Sequence, residues 1–160
     1  AVIDGNGSLW NNRHTFFAGN SGSSNTVTVR NGGVLENTTG YIGYHTNAIG
    51  NQVIVDNASW ENSAGLFVGF NGSGNTLVIT NGAEVTSGES RVGAEGFAND
   101  NQVLVTGTGS VWNVSRSLLV GNNVNSNNNL LIENGGRVVV QENISVGTGW
   151  TRSSELSVRW

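Results

Sequence analysis

Apolar residues recur along this chain as outer members of triplets, at Ala1-Ile3, Val27-Val29, Val53-Val55, Leu77-Ile79, Val103-Val105, Leu130-Ile132 and Leu156-Val158, spaced by 24 to 27 residues. In an extended strand the first and third positions of a triplet point the same way, so each triplet predicts a short strand with one buried face. A corner follows each full strand, at Asn31-Gly32, Asn57-Ala58, Asn81-Gly82, Gly107-Thr108 and Asn134-Gly135. Gly and Asn enter the left-handed backbone region most easily, which a sharp corner requires. Beyond the corner stands a second apolar column, Trp10, Leu35, Trp60, Val85, Trp112 and Val138. A third strand ends in an apolar residue followed by Gly, at Ala18-Gly19, Ile42-Gly43, Val68-Gly69, Val92-Gly93, Val120-Gly121 and Val146-Gly147.

Self-similarity at a fixed period of this length is the signature of a solenoid. The predicted fold is all-β: a single-stranded parallel β-helix (β-solenoid) with three short strands per coil and about six coils of roughly 26 residues. Parallel crossovers are overwhelmingly right-handed, and a right-handed coil is expected. Residues 1–160 form one domain, with coils at approximately 1–24, 25–50, 51–74, 75–100, 101–127 and 128–153 and a partial coil at 154–160. No long stretch shows the 3.6-residue spacing of a helix.

Two features refine the pattern. Trp alternates with an aliphatic residue in the second column, and the inward column of the third strand runs Phe16, Gly40, Leu66, Ser90, Leu118, Ile144. The true period is therefore a double coil, in which large residues of one coil nest against small ones of the next. Ahead of the triplets stand Asn25, Asn51, Asn75, Asn101 and Asn128. Stacked at the strand spacing of about 4.8 Å, their amides are placed to form a hydrogen-bonded ladder along the axis.

Composition agrees with a thin, repetitive core. Hydrophobic residues make up 36% of the chain, Gly supplies 24 residues, and Pro, Cys, Met and Lys are absent. The lack of Cys rules out a disulfide framework and suits passage through an oxidising compartment. A net charge of -4 with 11% charged residues lacks the basic footprint of a nucleic-acid binder, so no nucleic-acid partner is expected. No apolar run approaches the length of a membrane span, so direct membrane insertion is not expected either. Beginning at Ala1 rather than Met, the chain reads as a processed or excised piece of something larger, and its terminal coils as open ends. Those ends imply either a longer array or head-to-tail stacking into a fibre. The sequons at Asn6, Asn37, Asn57, Asn71, Asn113 and Asn143 are what a chain rich in Asn, Ser and Thr contains by chance.

Inward columns are filled by packing side chains, so function must lie on the outside. The residues after the triplets, Asp4, Arg30, Asp56, Thr80, Thr106, Glu133 and Arg159, place opposite charges on neighbouring coils and read as solvated ion pairs that help set register. Glu36 and Glu61 hold equivalent positions on adjacent coils, about 5 Å apart as in a retaining glycosidase, and are the best candidates for catalysis. No further carboxylate or partner supports them, and the chain is not expected to be an enzyme. His14 and His45 lack ligand-spaced companions, the calcium-binding nonapeptide is absent, and neither metal nor cofactor is expected. The middles of the triplets should face solvent yet include Ile54, Val78, Leu104 and Leu131. Phe17, Tyr41 and Phe67 face outward on the third strand, with Tyr44 and Phe70 just past the Gly. Such stripes serve either strand propensity and cross-strand stacking or an interface, with another solenoid or with a sugar.

Residues 68–85, VGFNGSGNTLVITNGAEV, and 103–138, VLVTGTGSVWNVSRSLLVGNNVNSNNNLLIENGGRV, carry the motifs Gly-Ser-x-Trp, Leu-x-Val-Gly and Asn-Gly-Gly-x-Val. They resemble the repeat shared by type V secretion autotransporter passengers and PEP-CTERM-associated surface proteins. The resemblance covers essentially the whole chain and implies a secreted, cell-surface β-helix. On that basis the expected role is a structural or adhesive stalk, with itself, a host or environmental surface, or a glycan as partner. A glycan-binding module using the aromatic stripe is the alternative, and a polysaccharide-active enzyme the third.

Overall fold

A computed structural model describes residues 1–122, 127–148 and 153–160. The first coil contains β1 (Val2–Asp4) and β2 (Leu9–Ala18), and the second β3 (Thr26–Arg30) and β4 (Val34–Ile42). Coil three contains β5 (Gln52–Asp56), β6 (Ser59–Asn62) and β7 (Leu66–Val68); coil four β8 (Thr76–Thr80), β9 (Glu84–Ser87) and β10 (Ser90–Val92). Coil five contains β11 (Gln102–Thr106), β12 (Val111–Val114) and β13 (Leu118–Val120); coil six β14 (Asn129–Glu133), β15 (Arg137–Val140) and β16 (Ile144–Val146). A last strand, β17 (Glu155–Val158), opens a seventh. No helix occurs among the described residues. Parts of the predicted coils 101–127 and 128–153 lie outside the described residues.

Every strand pair is parallel. The triplets form one seven-stranded sheet in the order β1-β3-β5-β8-β11-β14-β17. Its register joins Val27 to Val53, Val53 to Leu77, Leu77 to Val103 and Val103 to Leu130, as the spacing predicts. The second and third strands of each coil belong to a single ten-stranded sheet, because β4 pairs with β6 along its first half and with β7 along its second. In coils one and two these strands run together as one. Coil two carries Thr38-Thr39 at the bend, β-branched residues that favour extension, where coil three carries Ser63-Ala64-Gly65. In coil one a register shift between Asn12 and Thr15 takes up one extra residue, and Asn12 Nδ2 donates to the Thr15 carbonyl at 2.8 Å.

The core is one continuous cluster along the axis, from Ile3 and Phe16 to Leu130. Trp10, Leu35, Trp60, Val85, Trp112 and Val138 are successive register partners, so the predicted second column is a true stack. Trp60 leans over Gly40, where an added Cβ would meet its ring carbon Cζ2 at 2.7 Å and Leu66 Cδ1 at 3.0 Å. Large and small residues of neighbouring coils thus fill one another's space.

At the corners the predicted conformations are present. Asn31, Asn57, Asn81 and Asn134 have φ between 48° and 54°, and the Gly after each third strand lies between 67° and 81°. The Asn ladder is formed. From Asn51 onward each Oδ1 accepts twice from the preceding coil: Asn51 Oδ1 from Asn25 Nδ2 (2.9 Å) and backbone N (3.0 Å), Asn75 Oδ1 from Asn51 (3.0 and 2.9 Å). Asn101 and Asn128 continue it with amide contacts of 3.1 Å each. It stops at Asn128, whose Nδ2 has no acceptor where the column continues as Ser154.

Candidate functional site

Two outer regions gather the residues that sequence reasoning selected. On the third-strand column, register places Phe17 beside Tyr41 and Tyr41 beside Phe67. Their rings stack, with centroids 5.4 and 5.0 Å apart and planes inclined by 14° and 13°. Tyr44 and Phe70 form a second stack at 5.1 Å and 8°, set edge-on to the first. All five predicted aromatics therefore form one patch over the first three coils. Parallel stacking along the axis presses ring faces against each other, so the patch offers chiefly ring edges and the Tyr hydroxyls to solvent. Burial, with Tyr44 adding to it, raises the Tyr41 phenol above its ordinary value of 10.0. The next residue in the column is Arg91, gripped by Glu89 at 2.6 Å and Glu95 at 3.3 Å.

Glu36 and Glu61 are also brought together as direct register partners. Asn11 Nδ2 donates to Glu36 Oε2 at 2.5 Å, and the pair borders a concavity of about 410 Å³ with Asn37, Thr38, Asn62 and Thr86. Sharing Ser63 with it, a second concavity of about 470 Å³ reaches Tyr41 and Phe67. Together they make a shallow polar groove where the ten-stranded sheet bends, beside the aromatic patch. Amides, hydroxyls and carboxylates there can exchange hydrogen bonds with a polyhydroxylated chain. Among the described residues no group of three His, Asp or Glu side chains converges as a metal site would. His45 packs edge-on to Tyr44 at 4.7 Å.

The predicted stripe of Ile54, Val78, Leu104 and Leu131 is present and half-exposed. Of the predicted charge column, Arg30 pairs with Asp4 at 2.8 Å, and Asn31 donates to the same carboxylate, holding it below its ordinary 3.8. Asp56 instead accepts from Asn81 at 2.7 Å. Among the described residues the ion pairs are Arg30–Asp4, Arg91–Glu89 and Arg91–Glu95, so Glu133 and Arg159 do not pair with each other.

A buried polar column escaped the sequence reading. Trp60 Nε1 donates to Asn37 Oδ1 at 2.7 Å and Trp112 Nε1 to Ser87 Oγ at 2.9 Å. Each acceptor lies on the smaller coil that precedes the Trp. The available signal was a polar residue two places after Leu35 and Val85, where alternation predicts an inward side chain. Asn37 is 6% exposed, which removes one of the six sequons from the surface.

Comparison with known protein families, with curated proteins and with solved structures returns no match for this chain.

Proposed function

We propose that this chain is a structural segment of a protein exported to a bacterial surface, a stiff spacer whose outer faces serve adhesion. The observation that carries this reading is the unbroken parallel register from β1 to β17, in which every coil is tied to the next by backbone bonds and most by the buried Asn ladder. A molecule built this way transmits position and force along one axis, as a stalk must. Its motifs resemble those of autotransporter and PEP-CTERM-associated surface repeats, which supports export. Antibodies against the purified chain should label intact cells of its source organism, and externally added protease should remove the label. Labelling that requires permeabilised cells would overturn the proposal.

The groove beside the aromatic patch favours a second reading, recognition of a polysaccharide. Contact would run through the groove amides and the Tyr41 hydroxyl rather than through ring faces, which are occupied by stacking. On a glycan array, Tyr41→Phe keeps the stack and should weaken binding roughly tenfold, the worth of one hydrogen bond. No binding by the native chain, or equal binding by the variant, counts against this reading.

A further inference from the structure

We propose that the outer face of the seven-stranded sheet is a self-pairing surface on which a second copy of this chain docks face to face, a reading that rests on the structural role proposed above and gives it a partner. The face has a centre of unusual character. Ile54, Val78, Leu104 and Leu131 form a half-exposed single file, one per strand on β5, β8, β11 and β14. Their flanks on β8 and β11 are uncharged, Thr76 and Thr80 on one strand, Gln102 and Thr106 on the other. Such a strip loses little hydration energy when covered, as the middle of an interface requires.

Symmetry identifies the occupant. A two-fold axis lying along β8, in the plane of contact, reverses the order of coils but leaves each column opposite itself. Val78 then faces Val78 of the second copy, Ile54 faces Leu104, and Gln52 faces Gln102. Towards the ends, Arg30 faces Glu133 and Asp4 faces Arg159. Opposite charges thus meet at both ends, and no like charges meet in this column. Sliding one copy by one strand sets Asp4 against Glu133 in one direction. In the other it sets Arg30 against Arg159 and Asp56 against Glu133. Of the three placements with the greatest overlap, only the one centred on β8 is free of repulsion, which is the self-complementarity an isologous contact needs.

Size sets the strength. Seven strands at about 4.8 Å and five residues at about 3.3 Å give a footprint of roughly 500 Å² per copy, or about 1,000 Å² in all. That is the lower limit of a specific interface, so pairing is reversible and concentration-dependent.

Sedimentation velocity of the native chain, taken up to about millimolar concentration, should show a reversible monomer–dimer equilibrium that weakens with added salt. Val78→Arg sets cation against cation on the axis and should leave only monomer, with an unchanged denaturation midpoint because the position is half-exposed. Arg30→Glu should weaken pairing at least about tenfold, and adding Glu133→Arg should restore it. The charge exchange lies on the outer face, so it remains a test if Val78→Arg fails to fold. A monomer at every concentration overturns the proposal, as does a dimer indifferent to Val78→Arg. Loss on Arg30→Glu without rescue overturns the placement on β8. None of these outcomes bears on surface labelling of cells, which tests the structural role separately.

Discussion

A Cβ added at Gly69, which closes coil three, would fall within the side chain of Asn101, which opens coil five, and Gly19, Gly43 and Gly93 stand in the same relation to Asn51, Asn75 and Asn128. The Gly column and the Asn ladder are therefore one arrangement, each Gly at the end of a coil making room for the Asn that opens the second coil after it. Gly is required twice at these positions, for a φ near 72° at Gly69 and for the space the amide occupies. Asn101→Ala removes the acceptor of both the backbone N and the Nδ2 of Asn75, at 2.9 and 3.1 Å, and should cost about 2–4 kcal/mol because buried donors lose their partners. Gly69→Ala should cost about 1–2 kcal/mol for its backbone conformation alone, and more for the clash. The double variant should be less destabilised than the sum by about 1 kcal/mol or more, since the new methyl enters the space the amide leaves. Urea denaturation of the four proteins measures this directly. Strict additivity would mean that Gly69 serves its φ alone.

At the scale of strands, what could be read from the sequence was direction, and what could not was the neighbour. A period of two assigns a side chain to one face, which was enough to place Trp60, Leu35, Leu66 and Gly40 in the core and to align them by coil. It does not say that the Trp60 indole lies over Gly40, nor that its N–H reaches back to Asn37, because those contacts depend on ring orientation across a strand spacing. The aromatic patch makes the same point. Phe17, Tyr41 and Phe67 were legible as an outward column, but whether their faces meet solvent or each other is a matter of χ angles, and mutual stacking decides it. The fusion of the second and third strands in coil two turned on Thr38-Thr39, a local preference too weak to recognise without knowing that the neighbouring strands could follow it. The pairing of Glu36 with Glu61 was foreseen because register alone determines it, whereas the claim of Asn11 on Glu36 was not.

For the molecule as a whole, the double period predicts which deletions the solenoid tolerates. Coils interact with their nearest neighbours, so removing a segment joins two coils that were not in contact, and stability depends on whether their faces match. Removing residues 51–100 brings coil two against coil five. Trp112 then meets Gly40 and Asn37 as Trp60 does now, Asn25 meets Asn101 in the ladder, and Thr28 meets Leu104 on the outer face. The apolar partners keep their chemical type, whereas Val114 takes the place of Asn62, whose Oδ1 now accepts from Asn37 Nδ2 at 2.8 Å. Removing only residues 51–74 brings coil two against coil four, setting Leu35 against Val85 and Gly40 against Ser90. The corner is joined equally well, Gly50 to Asn75 instead of Gly50 to Asn101, so the turns do not distinguish the two deletions. The core does: no indole fills the space above Gly40, and Asn37 loses the N–H that Trp60 supplied. By comparison with truncation of a buried Trp, offset by the roughly 1–3 kcal/mol that the orphaned Asn37 amide costs the longer deletion, the shorter should still be the less stable by about 2 kcal/mol, although it removes fewer residues. A guanidinium titration followed by circular dichroism should therefore show the larger deletion unfolding at the higher midpoint. Equal midpoints, or the reverse order, would mean that the alternation of Trp and aliphatic coils is incidental to stability.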